Sequence, residues 1–206
     1  WLLVDDQIEF IESICREFFT TTGIEWRKTL TPLPVAPIDM SDRSGDKVGK
    51  EGPDEAPGKL AGIARHFVYA LAYAAQGTRP DLTTAISVLE TLIDKWTIGA
   101  DKALIRTFRY AWTTVHYVLV GIVSTNDIDI ARPLGNPDAS LNVPRLGLRT
   151  RLGSLMFIVG RFTLYPVKWK SKAAKTNMCS TLEAEGASLL DTVKDELTMA
   201  DYVQLS

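Results

Sequence analysis

Asp138, Glu183 and Glu185 are the residues whose types and spacing could do chemistry, and they bound one strongly basic window. Between Ala139 and Leu182 stand eight basic residues, Arg145, Arg149, Arg151, Arg161, Lys168, Lys170, Lys172 and Lys175, and no acidic one. Lysine and arginine neutralise phosphates and release their counterions. Carboxylate oxygens are the ligands that magnesium prefers. Two such ions about 4 Å apart stabilise the attacking and leaving oxygens of a phosphodiester displacement. The pattern suits a nucleic-acid backbone, with Asp138, Glu185 and Glu183 as metal candidates. Arg149, Arg151, Trp169, Lys170, Lys172 and Lys175 are then the candidates for binding the nucleic acid. A plainer account fits the same residues. A segregated charge window is usually a solvated face, glutamates at a helix start serve its dipole, and a lone tryptophan is usually core. Composition alone does not separate the two.

The elements that must position these residues follow from periodicity. Ile8, Ile11, Ile14, Cys15 and Phe18 recur at helical spacing over residues 6–19. Residues 30–59 hold five of the ten prolines and four glycines, so this stretch reads as an extended connector. Helical spacing returns over 60–75. Asp81 can cap a helix over 82–96, and a further helix covers 100–114. From Val118 the runs become β-branched: "VLVGIV", then "GSLMFIVGR" and "FTLYPVKWK", the last two joined by a tight turn at Gly160–Arg161. A last helix starts near Ser180 and runs to about Leu197, with Ser180 or Thr181 as its cap. The organisation expected is a helical first part, 1–130, and a strand-rich second part, 131–206, ending in a helix.

Composition narrows the classes. With 206 residues, 46% hydrophobic, the chain can bury a real core. A net charge of −2 offers no global attraction for polyanions, so any such argument is local. Cys15 and Cys179 make neither a disulfide framework nor a metal cluster, which points to an intracellular, reducing compartment. The most apolar run, Ala111–Val123, is too short for a bilayer and contains His116.

Several segments, in order, resemble copia-type retrotransposon polyproteins. "KWKSKAAKTNMCSTLEAEGASL" (168–189) is similar to the ribonuclease H segment in which Trp-(Arg/Lys)-Ser-Lys leads into Ser-Thr-x-Glu-Ala-Glu. "RPDLTTAISVLETL" (79–92) resembles the Arg-Pro-Asp signature that follows the polymerase palm, and "IRTFRYAWTT" (105–114) the helix after it. "QIEFIESICREF" (7–18) and "LTPLP" (30–34) resemble the elements ahead of that signature. "NPDASLNVPRLGLRTRLGSLMFIVG" (136–160) takes the place of the family's first catalytic strand and the strand after it.

The resemblance implies an α+β chain. Residues 1–130 correspond to a reverse-transcriptase thumb and connection region, and 131–206 to a partial ribonuclease H-like domain of three antiparallel strands followed by a helix. It places Asp138 on the family's first catalytic aspartate and Glu185 on its catalytic glutamate, with Glu183 a flanking acid. It implies magnesium or manganese if the site is active, and RNA or an RNA–DNA hybrid as ligand. The departures are specific. Ser140 and Leu141 stand where a second aspartate and a tryptophan are usual, and Gly186 where an aromatic follows the glutamate. The third catalytic aspartate, expected on a strand after the helix, has no counterpart, because Asp191, Asp195 and Asp201 lie on or just after the helix itself. Asp5 and Asp6 resemble a polymerase aspartate pair only out of context. The expectation is a retroelement-derived protein, non-catalytic as it stands, that serves as a nucleic-acid-binding or structural subunit, with a protein partner covering exposed sheet edges. The alternative is an active ribonuclease H or reverse-transcriptase fragment.

Overall fold

The computed structural model describes residues 1–33, 56–141, 150–176, 178 and 180–204. Most of the connector expected over 30–59 lies outside them, as do Arg145, Arg149 and Cys179. The chain is α+β and divides into two compact units at Tyr117/Val118, upstream of the division expected near residue 131. Trp1–Asp6 belongs with the second unit. It does so because its strand pairs with residues 119–122.

The helical unit contains α1 (Ile8–Thr22), α2 (Ala61–Gly77), α3 (Thr83–Leu92) and α4 (Ile98–Thr113). Helix α1 buries Ile11, Ile14, Cys15 and Phe18, the stripe that its periodicity announces. It ends at Gly23, whose φ of 66° favours a residue without Cβ and whose N–H returns to Phe19 O at 3.0 Å. Phe18 stacks on Phe108 of α4 with ring centroids 4.0 Å apart, and Phe67 of α2 meets both edge-on. The N-terminus of α2 is capped from α4. Asp101 accepts the N–H groups of Lys59 and Leu60 at 2.7 and 3.2 Å, and the Trp96 indole N–H at 2.6 Å.

The Arg-Pro-Asp run closes this unit. Pro80–Leu82 forms a 3-10 turn ahead of α3, and Asp81 does not cap that helix. Its carboxylate instead receives Arg79 Nε at 2.9 Å and Nη2 at 2.7 Å, with Tyr110 Oη at 2.8 Å. Arg79 also donates to the Thr114 carbonyl and hydroxyl at the end of α4. The demand for a partner on a buried guanidinium outweighs the local cap.

The second unit is a five-stranded antiparallel sheet: β1 (Leu2–Asp5), β2 (Leu119–Ile122), β3 (Arg132–Ser140), β4 (Arg151–Val159) and β5 (Leu164–Ala173). The order across it is β1-β2-β5-β4-β3. Strand β2 pairs with both β1 and β5, which draws residues 1–6 and 118–122 out of the helical unit. The segment that resembles a polymerase loop is therefore an edge strand. Asp5 accepts the Tyr165 hydroxyl at 2.6 Å. That bond, reinforced by burial, holds the Tyr165 phenol above its usual range. Strands β3, β4 and β5 form a meander, and α5 (Thr181–Gln204) follows and packs on β3 and β4. Ser180 Oγ caps α5 by accepting the Glu183 N–H at 3.1 Å. Among the described residues no helix is long and apolar enough to cross a membrane.

Candidate functional site

The two sides of the sheet are distinguished by α5. On β5, Lys168, Lys170 and Lys172 turn toward the helix. Lys168 reaches Asp195 at 2.9 Å and Lys172 reaches Asp191 at 2.7 Å, while Lys170 pairs with both aspartates. Strand residues alternate sides, so the partners of these lysines share that side. Lys172 pairs with Leu152, Lys170 with Ser154 and Lys168 with Met156, and across β4 these meet Ala139, Pro137 and Gly135. Met156 and Leu152 are buried under the helix.

The helix meets this side with small residues. Ala184, Ser188 and Thr192 recur every four positions and are buried. The Ser188 hydroxyl lies 2.8 Å from the carbonyls of both Asp138 and Gly153. A Cβ on Gly135 would collide with Thr192 Cγ2, so glycine is what lets the helix sit this close.

Asp138 and Trp169 take the other parity. Asp138 pairs with Gly153 and Gly153 with Ser171, while Trp169 pairs with Leu155 and Leu155 with Asn136. These side chains leave the sheet on the side away from α5, and Asp138 is exposed. Glu185 is exposed on α5, next to the buried Ala184, and Glu183 lies one residue before Ala184. The sheet therefore separates the Asp138 carboxylate from Glu185 and Glu183. Among the described residues no three His, Cys, Asp or Glu side chains form a group that could hold a metal ion. The two-magnesium arrangement implied by the sequence does not fit this donor placement.

The nucleic-acid candidates divide the same way. Lys170 and Lys172 face the helix with acidic partners, Lys170 half-buried and Lys172 exposed, whereas Trp169 faces the opposite side. Arg151 is buried, and Lys175 is exposed beyond the end of β5. Arg149 is outside the described residues. Burial works against the charges of this cluster, but the mutual hydrogen bonds and charges outweigh it. The Lys170 ammonium is held above its usual pKa, and the Asp191 and Asp195 carboxyls below theirs.

No family model, curated protein or solved structure matches the chain.

Sequence reasoning passed over Asp191 and Asp195, because neither could serve as a third catalytic acid. A signal for their role was present. They stand four apart on a helix, and the lysines stand two apart on a strand. Those spacings are the repeats that bring a helix face and a strand face together. The open side of the sheet gave a weaker signal. Leu2, Val4, Val120, Ile122 and Leu164 are all exposed, and register places them on the side away from α5. Gly121 marks the opposite parity, where a Cβ would meet the Tyr165 ring.

Proposed function

We propose that this chain is a retroelement-derived, ribonuclease H-like protein that is non-catalytic and acts as a structural subunit of a larger assembly. The observation that carries this reading is the open side of the sheet. An antiparallel sheet tolerates a solvated side when that side is polar. Here Leu2, Val4, Val120, Ile122 and Leu164 form a contiguous apolar surface with exposures from 49% to 66%. Exposed apolar patches of this kind mark interaction surfaces. A protein partner that packs on this side, and extends along the free edge of β1, fits the chemistry. The succession of three antiparallel strands and a helix supports the ribonuclease H-like part of the reading. The separation of Asp138 from Glu185 supports the non-catalytic part. The internal pairing of Lys168, Lys170 and Lys172 argues for a protein partner over RNA or an RNA–DNA hybrid.

The test uses a labelled RNA–DNA hybrid with magnesium or manganese. The expected result is no cleavage by the wild type, and none changed by Asp138→Asn or Glu185→Gln. Cleavage that disappears in either variant overturns the reading in favour of the alternative, an active ribonuclease H fragment. Binding of an apolar dye to the native chain checks the open side. The dye signal should fall in the Val120→Thr, Ile122→Thr, Leu164→Thr triple variant, and an unchanged signal removes the carrying observation.

A further inference from the structure

We infer that the chain closes the outer edge of β3 against strand addition, with Glu196 as the latch. Strand β3 ends the sheet order, so among the described residues one of its two edges has no neighbouring strand. Gly135 shows which way the amides turn. Its N–H donates to Glu196 Oε1 on α5 at 2.8 Å, so it faces away from β4. Amide directions alternate along a strand, and the pairing of β3 with β4 is unbroken from Arg132 to Ser140. Pro133, Pro137 and Ala139 therefore turn outward with Gly135.

Two of those four positions have no N–H, because they are prolines. Of the two N–H groups that remain, that of Gly135 already serves Glu196. Ala139 alone retains a donor toward the edge. An incoming strand, parallel or antiparallel, needs alternating donors and acceptors and would meet almost only carbonyls. Proline on an edge strand and a charged group over the edge are both known defences against edge pairing. Glu196 reaches the edge because Gly135 and Thr192 let α5 come close at this point.

Edge β1 is built differently. Trp1 and Val123 exchange both backbone hydrogen bonds, so Leu2 and Val4 turn their amide groups outward, and neither is proline. The two ends of the sheet are thus unequal. Among the described residues no strand lies beside β3, and the latch disfavours adding one there. The inference deepens the structural-subunit reading and rests on it for this consequence: the partner must use β1 and the open side, not β3.

The experiment follows the Gly135 amide by hydrogen exchange on the full chain. It should be protected in the wild type. In Glu196→Ala it should exchange roughly tenfold faster, the scale of one lost charge-assisted hydrogen bond. Glu196→Gln keeps an oxygen acceptor and should restore protection. Opening the edge fully with Pro133→Val, Pro137→Val and Glu196→Ala should give self-association in sedimentation velocity at concentrations where the Glu196→Gln variant behaves as wild type. Equal Gly135 exchange in wild type and Glu196→Ala overturns the latch, and so does a folded open-edge variant that sediments as wild type. If the triple variant fails to fold, the amide comparison decides. Hybrid cleavage by the wild type would sink the functional reading without touching the latch.

Discussion

Arg79 and Asp81, two residues apart, form a forked ion pair in which the guanidinium is 1% exposed. Pro80 between them fixes the turn that lets the two side chains meet. Thr114 takes two further donors, and Arg79 also lies over the rings of Tyr110 and Tyr117. The most signature-like run in the helical unit is thus a clamp between the α2–α3 turn and the end of α4. Asp81→Ala leaves a buried charge without its carboxylate and should cost about 3–5 kcal/mol in denaturant unfolding. Arg79→Lys keeps the charge but loses the fork, and it should also be clearly destabilising. A wild-type-like midpoint in both variants would remove this role.

The cluster of Lys168, Lys170, Lys172, Asp191 and Asp195 predicts a pH profile. The two aspartates have lowered pKa values in the folded state, so their stabilisation is complete above the ordinary carboxylate range. It is lost as pH falls through those lowered values. The raised pKa of Lys170 keeps its contribution complete below the ordinary lysine value, and it is lost as pH rises through the folded one. Melting temperature should therefore be flat across neutral pH and fall at both extremes. The Asp191→Asn, Asp195→Asn variant should lose the acid-side fall that belongs to this cluster.

The same pairing bears on nucleic acid. Free lysines on a phosphate each add nearly one unit to the salt slope of binding. Neutralising Lys168, Lys170 and Lys172 together should change that slope by no more than about one unit, because Asp191 and Asp195 already balance two of the three charges. Asp191→Asn, Asp195→Asn should strengthen hybrid binding at low salt. A loss of about three units in the lysine variant would show that these residues reach phosphate.

Gly135→Ala forces a Cβ into Thr192 Cγ2 and should cost about 1–3 kcal/mol, the scale of overpacking. Combining it with Thr192→Ser removes the colliding methyl and should recover most of the loss. Equal stability of the single and double variants would show that the helix yields freely at this point.

Cys15 is fully buried, and burial pushes its thiol up to about 12. The thiolate is the reactive form, so Cys15 should resist alkylation at pH 8 in the native chain and react once unfolded. Peptide mapping of the adduct reads this directly. Labelling of Cys15 in the native state would show that the α1 core opens.

Most of the elements were legible because they rest on local pattern. The stripe of Ile11, Ile14, Cys15 and Phe18 reads as a core face, and the three β-branched runs read as strands. Ser180 before Glu183 announced the start of α5. Strand β1 was not legible. Four residues carry too little period to declare a strand, and pairing with β2, more than a hundred positions away, is what makes one. Asp81 misled for a related reason. As a local cap it was sound chemistry, but the buried Arg79 made a stronger claim on the same carboxylate.

The sequence by itself determined which residues carry charge, where the backbone bends, and which positions alternate along each strand. It placed Asp138, Trp169, Lys170 and Glu185 on their elements without saying which of them would face one another. Only the tertiary structure decided that. Because parity on a strand is strict, a single register puts Lys170 under α5 and Asp138 on the far side of the same sheet. The acids that meet the basic strand are therefore Asp191 and Asp195, not Asp138 and Glu185. Whether a carboxylate holds a metal or a neighbouring lysine depends on distances between distant segments, which the order of residues along a chain does not contain.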